Sequence, residues 1–164
     1  MSTCFLILSQ FSIIAYALIA GVFLAFSDFI MRSLDKASSP GGIEVMQVIN
    51  REVFNWQFMT LFIGMSILSV LIIGVAYISL SGPAAILIMI AAGFYLIGVF
   101  GVTVVFNVPL NKLLDGMDFT SKEALEFWKT RYLPDWTFWN SVRTGACVMA
   151  AILYLVALIL MLAS

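Results

Sequence analysis

The sequence has no histidine. That removes the commonest metal ligand, the commonest general base and the usual haem ligand together. Cysteine is nearly as scarce, with Cys4 and Cys147 alone. Two lone thiols make no metal site. They also sit at opposite ends of apolar segments, which in an up-and-down bundle excludes a disulfide between them. Both read as small apolar filler. Charge is the third shortage. Asp, Glu, Lys and Arg make up 10% of the chain and apolar residues 63%, with a mean hydropathy of +1.10. A soluble domain carries about 25% charged residues, so the solvent for most of this chain is lipid. No phosphate loop, dinucleotide fingerprint, metal motif or nucleophile–base pair occurs, nothing points to nucleic acid, and no cofactor is implied.

What charge there is falls in two windows, Asp28 to Glu52 and Lys112 to Arg143. Between and outside them lie three uncharged stretches, the middle one long enough for two spans. Their lengths predict membrane spans at about 4–28, 53–80, 84–106 and 140–163, at about 1.5 Å per helical residue against a hydrocarbon core of about 30 Å. The first stretch lacks the basic start of a signal peptide, since no Lys or Arg precedes Arg32. The expected fold is all-α: an integral membrane four-helix bundle with helical extensions and a short polar helix on one side, forming a single membrane domain, 1–164. Four spans put both charged windows on one side. That side holds all eight Lys and Arg residues, so by the positive-inside rule segments 28–52 and 112–143 are cytoplasmic in a plasma or inner membrane, with the termini opposite.

Local signals fill in this frame. Gly21, with Ala20 and Ala25, offers a small-residue patch, as do Gly93, Gly98 and Gly101 on the third span. Residues 31–42 read as a loop, with turn chemistry at Ser38-Ser39-Pro40-Gly41-Gly42. A helix from about Ile43 presents Met46, Asn50 and Phe54 on one face and is expected to run unbroken into the second span. Ser81-Gly82-Pro83 makes a tight turn. Pro109 should end or kink the third helix, and Pro134 should mark a boundary before the last. Thr120-Ser-Lys-Glu123 matches a capping box opening a short helix that carries Trp128 and Tyr132.

The residues able to do chemistry gather at the charged end. Arg143 lies about a turn inside an apolar segment, on one face with Asn140 and Trp136. It can be a snorkelling arginine that sets topology, or a binder of an anion or a polarised oxygen at the bundle mouth. Asn50, Asn55, Asn107, Asn111 and Asn140 fall near the same level. Asparagine is costly near lipid unless it bonds across helices or lines a wet cavity. The aromatics Trp56, Trp128, Tyr132, Trp136, Phe138 and Trp139 cluster there too, as an interfacial belt or as walls for a flat ligand. Asp28, Glu44, Glu52 and Asp135 are the acidic candidates for a base; each also reads as a solvated charge.

These residues resemble the anthrone oxygenase-like family of small four-span membrane proteins. The resemblance is carried by Gly21 with Phe26-Ser27, Met46 with Ile49-Asn50, Asn107-Val-Pro109-Leu110-Asn111, Trp128 with Tyr132, and Trp136 with Trp139-Asn140 and Arg143. It implies membrane location and, as in the fungal members, oxygenation of an anthrone to an anthraquinone without an evident metal. On that reading Arg143, Asn140, Asn107 and Asn111 are catalytic candidates. Asn50, Met46, Trp128, Tyr132, Trp136 and Trp139 would bind a small lipophilic aromatic or quinone-type substrate. The alternative is a non-catalytic membrane protein: a lipophile binder, a small transport component or an accessory subunit. A catalyst needs the asparagines and Arg143 to converge on a cavity; a structural bundle would bond them to one another with no void.

Overall fold

The computed structural model describes residues 3–37, 40–55 and 57–163. Among them there is no strand, and four helices are long and apolar enough to cross a membrane: α1, Phe5–Lys36; α3, Gln57–Ser79; α4, Gly82–Asp115; and α5, Lys122–Ala163. The shorter α2, Gly41–Glu52, precedes α3. The first long helix packs on the last, the last on α4, α4 on α3, and α3 closes back on α1. Lipid is the solvent for the outer surface. Ile14, Leu18, Ile67, Val70, Ile97, Val105 and Ile159 all stand exposed on charge-free stretches, as the hydrocarbon region demands of a helical protein.

Two cores fill the interior. The larger, in the charge-free half, centres on Tyr16, Ile19, Met65, Tyr95, Cys147 and Tyr154. Two of its tyrosine hydroxyls are matched across helices. The Tyr16 hydroxyl and Ser69 Oγ lie 2.9 Å apart, and the Tyr95 hydroxyl donates to the Phe62 carbonyl at 2.9 Å. Cys147 is a buried free thiol whose Sγ donates to the Tyr16 carbonyl; the side chain of Cys4 lies outside the described residues. The smaller core joins Met31, Ile43, Met46, Leu110, Leu114, Trp128, Tyr132 and Trp136 at the charged end. There the two charged windows are tied together. Gln47 Nε2 donates to the carbonyls of Leu114 and Met117 at 2.7 and 2.9 Å, satisfying the end of α4, and Arg51 pairs with Asp115 at 2.7 Å.

Several local expectations change. Residues 31–36 are helix, not loop. The backbone passes through a wide turn, Phe26–Ile30, where the Met31 N–H reaches back five residues to the Phe26 carbonyl, and α1 continues to Lys36. The pull is burial, for Met31 is sealed in the smaller core. Ser38 and Ser39, the centre of the expected turn, lie outside the described residues. The second helix is not continuous with α2. The backbone turns at Val53–Asn55, where the Asn55 N–H donates to the Glu52 carbonyl at 2.9 Å and its Nδ2 to Glu52 Oε2 at 3.0 Å. An asparagine that bonds locally competes with the helical ladder.

Neither proline breaks its helix. Before Pro109 the Val108 N–H spans five residues to the Thr103 carbonyl; before Pro134 the Leu133 N–H does the same to Trp128. Each proline lies in the first turn after the wide turn, where its fixed φ suits the helix, and the helix runs on. The capping residue of the polar helix is Ser121, which accepts from the Ala124 N–H at 3.0 Å, rather than Thr120. Thr120 instead gives its N–H and hydroxyl to Asp118, and these bonds, the N–H first, hold that carboxyl below its ordinary range. Gly82 has φ +79°, the left-handed geometry the α3–α4 turn requires.

The glycines also divide. Gly21, Gly93 and Gly101 meet no neighbouring helix, whereas a Cβ on Gly98 would lie 2.6 Å from Ala146 Cβ. Close approach of α4 to α5 therefore rests on Gly98. We expect Gly98→Ala to cost about 1–3 kcal/mol and to lower the melting temperature in detergent. Adding Ala146→Gly should recover at least half of the loss, while Gly21→Ala should be neutral or stabilising by up to about 1 kcal/mol.

Candidate functional site: a cavity around Arg143

Between the two cores lies a cavity of about 230 Å³. All five helices contribute to its wall. Phe23 and Phe26 come from α1, Met46 and Asn50 from α2, Phe58 and Phe62 from α3, Thr103, Asn107 and Asn111 from α4, and Trp136, Asn140 and Arg143 from α5. The wall is overwhelmingly apolar, with its polar groups confined to α2, α4 and α5.

Arg143 does not snorkel. It is 5% exposed, and among the described residues it has no carboxylate partner. Nη2 donates to Asn140 Oδ1 at 2.6 Å and Nη1 to Thr103 Oγ1 at 3.2 Å. The guanidinium carbon lies 4.3 Å from the Phe23 ring centroid and 5.3 Å from that of Trp136. Two hydrogen bonds and two π-faces offset part of the desolvation of a buried cation, which costs several kcal/mol by itself (on the order of). Nε is buried with no partner, and so is Asn107 Oδ1. The site therefore holds a net positive charge with an unused donor and an unused acceptor.

The asparagines are held as a lattice. Asn140 Nδ2 donates to the Phe23 carbonyl and to Ser27 Oγ, both at 2.6 Å, fixing Oδ1 towards Arg143. Asn107 Nδ2 donates to the Trp136 carbonyl at 3.2 Å. Asn111 Oδ1 accepts from the Tyr132 hydroxyl at 2.9 Å and from Trp136 Nε1 at 2.8 Å, and Asn50 Nδ2 donates to the same hydroxyl at 3.2 Å. The network and the void coexist. Asn55 stands apart, exposed and bonded to Glu52.

Of the described aromatics expected at this end from the sequence, only Trp136 lines the cavity. Tyr132 stacks on Trp136 and Trp128 on Tyr132, with centroids 6.3 and 5.3 Å apart, so they form a ladder behind the wall. Trp128 Nε1 donates to Asp35 Oδ1 at 3.3 Å. Trp139 points elsewhere, stacked on Phe106 at 3.6 Å, and Phe138 stands exposed beside it. Trp56 lies outside the described residues. None of the acidic candidates lines the cavity; Asp28, Glu44, Glu52 and Asp135 are all exposed. Thr103 and the phenylalanine walls escaped the sequence reading. The four-residue step Thr103, Asn107, Asn111 was the available signal. No cluster of three or more His, Cys, Asp or Glu suited to a metal occurs among the described residues.

Fold and site together define an integral membrane protein of four spans, with an apolar cavity and a buried cation at the charged end. The chain belongs to the anthrone oxygenase family, whose description matches residues 51–153. No curated protein and no solved structure matches it.

The lattice makes a specific prediction. Asn111→Leu strands the Tyr132 hydroxyl and Trp136 Nε1 together, at about 1–3 kcal/mol for each unsatisfied group. We expect a lower melting temperature and a shifted tryptophan emission. Asn55→Leu should do neither.

Proposed function

We propose that the cavity binds a lipophilic ring ketone, phenol or quinol as its oxyanion and promotes oxidation of that anion by O₂. The observation that carries this reading is Arg143: a buried cation on the wall of an apolar cavity, with Nε unpartnered and no carboxylate beside it. An anionic oxygen supplies what that guanidinium lacks. Family membership supports the same reading.

For an anthrone the chemistry closes. The methylene between the rings loses a proton, and its electron pair delocalises onto the ketone oxygen, which takes the guanidinium. The anion passes one electron to O₂; the resulting carbon radical and superoxide combine to a C–O bond at the former methylene. The peroxide then takes up a proton, its O–O bond breaks, the remaining C–H proton departs and water leaves. One anthrone and one O₂ give one quinone and one water. A cation about 4 Å from the oxygen at an effective dielectric near 20 contributes about 4 kcal/mol, or about three pKa units of the substrate. Arg143 can therefore do much of the work of a base by lowering the acidity barrier. The exposed carboxylates do not reach the ring. Asn140 and Thr103 act by aiming the guanidinium, and the phenylalanines by excluding water. All eight basic residues lie at this end, and we place it on the cytoplasmic side of the membrane.

The test is oxygen uptake and quinone absorbance with anthrone in lipid nanodiscs. Arg143→Gln should lose about 10²–10³ in rate while remaining folded, with Arg143→Lys intermediate. The rate–pH midpoint should also move upward in Arg143→Gln by about two to three units, because the lost charge no longer stabilises the anion. A folded Arg143→Gln with rate and midpoint unchanged would overturn the proposal. Anthrone binding that depends on Arg143, with no oxygen uptake, would make the protein a lipophile carrier instead.

A further inference from the structure

The cavity is not sealed. Part of its wall is made of residues that also face outward. Phe54 is 62% exposed, Ile63 45% and Val104 50%, and Phe100 and Val22 are exposed as well. Close packing of α3 on α4 runs along Gly82–Gly93 and into Phe94–Gly101, and fades at Thr103–Asn107. The turn between α2 and α3 adds Val53 and Phe54 to the same wall. A side window thus opens between α3 and α4, framed by Phe54, Ile63 and Val104. It does not open onto water. These residues lie in the charge-free stretch from Val53 to Asn111, and their outward neighbours Ile67, Ile97 and Val105 are all exposed apolar side chains. The window faces acyl chains.

Size sharpens the point. An apolar cavity of about 150 Å³ accommodates a benzene ring, so 230 Å³ takes one substituted ring, or two, with its oxygens. A larger ligand has to continue through the window. We infer that the occupant is a ring-headed amphiphile: an oxygenated single or double ring set against Arg143, with an alkyl or isoprenoid tail running out between Ile63 and Val104 into the bilayer. This rests on the reading of Arg143 as an oxyanion binder and narrows it to tailed phenols and quinols. It also explains an open wall on the lipid side, which a compact ligand would not require. A tail that stays in lipid whether the head is bound or free adds no affinity; it has only to be tolerated, and the window permits that.

The experiment uses the whole protein in nanodiscs and two probes, 2-methyl-1,4-hydroquinone and 2-decyl-1,4-hydroquinone, kept under anaerobic conditions and compared at equal mole fraction in the bilayer. Binding is read as retained probe after equilibrium exchange. The intact protein should hold both probes within about threefold of each other. Ile63→Trp and Val104→Trp, which add bulk at the window, should weaken the decyl probe at least tenfold and the methyl probe less than threefold. Ile97→Trp, equally bulky at a position 76% exposed and off the cavity, should change neither. Arg143→Gln should weaken both. Rejection of the decyl probe by the intact protein, or equal effects of the window variants on both probes, would overturn the tailed ligand while leaving the oxyanion site standing. Failure of the intact protein to hold the methyl probe, or its unaltered retention by Arg143→Gln, would overturn the oxyanion site itself. Should the tryptophan variants not fold, Ile63→Ala with Val104→Ala, which widens the window, should leave the methyl probe unchanged and retain 2-(1-adamantyl)-1,4-hydroquinone at least tenfold better than the intact protein does; no gain would count against the window.

Discussion

One unpaired guanidinium sets the terms for the charged end of this protein. A cation within an apolar stretch is costly, and the fold answers with polar groups from two other residues and two aromatic faces rather than with a carboxylate. Two of those partners are themselves fixed from another helix: Asn140 is anchored on the α1 backbone and Trp136 is pinned through Asn111 of α4, while Thr103 donates back to the Val99 carbonyl of its own helix. To hold one charge the chain brings its long helices to a common level, and the cavity is the space they enclose in doing so. An ion pair would have neutralised Arg143 and removed its attraction for a ligand anion. The asparagine amides orient the charge without cancelling it.

The parts of the fold visible in the sequence were those governed by composition. Absence of charge over twenty or more residues is enough to define a span, and the clustering of all charged residues in two windows is enough to bring those windows to one end. That Asn107 shares a face with Asn111, and Asn140 with Arg143, followed from periodicity on α4 and α5; that the two faces meet on one cavity did not. What was not legible depends on tertiary context. The wide turns at Phe26–Ile30 and Thr103–Asn107 arise because burial of Met31, Leu110 and Leu114 rewards continuation of the helix, and local propensity says nothing of that. Trp128 and Trp139 resemble each other in sequence, each about one turn from another aromatic, Tyr132 and Trp136. Yet one joins the buried ladder and the other turns out to Phe106. Glycine patterns misled for the same reason: only contact with a second helix distinguishes Gly98 from Gly21.

The aromatic ladder also clarifies a division of labour. Trp136 meets the cavity, Tyr132 links two asparagines by its hydroxyl, and Trp128 ties the stack to Asp35 near the end of α1. A row of rings at four-residue spacing is rigid because each ring limits the rotamers of the next. The cavity wall is thereby coupled to the water-exposed end of the bundle through stacked rings whose polar edges are matched by Asn50, Asn111 and Asp35.

The five-residue turns before Pro109 and Pro134 carry a consequence for the gene. Each accommodates one more residue than an α-helical turn would. Losing one residue inside 103–107 or 128–132 would let the local helix relax to ordinary geometry with the segments on either side still facing as they do. Relaxation without that loss would turn everything beyond by about 100°, and Asn111, or the face bearing Trp136 and Arg143, would then look towards lipid. Related chains should therefore either keep the residue count between Thr103 and Asn111 and between Trp128 and Arg143, or lose one residue together with the wide turn.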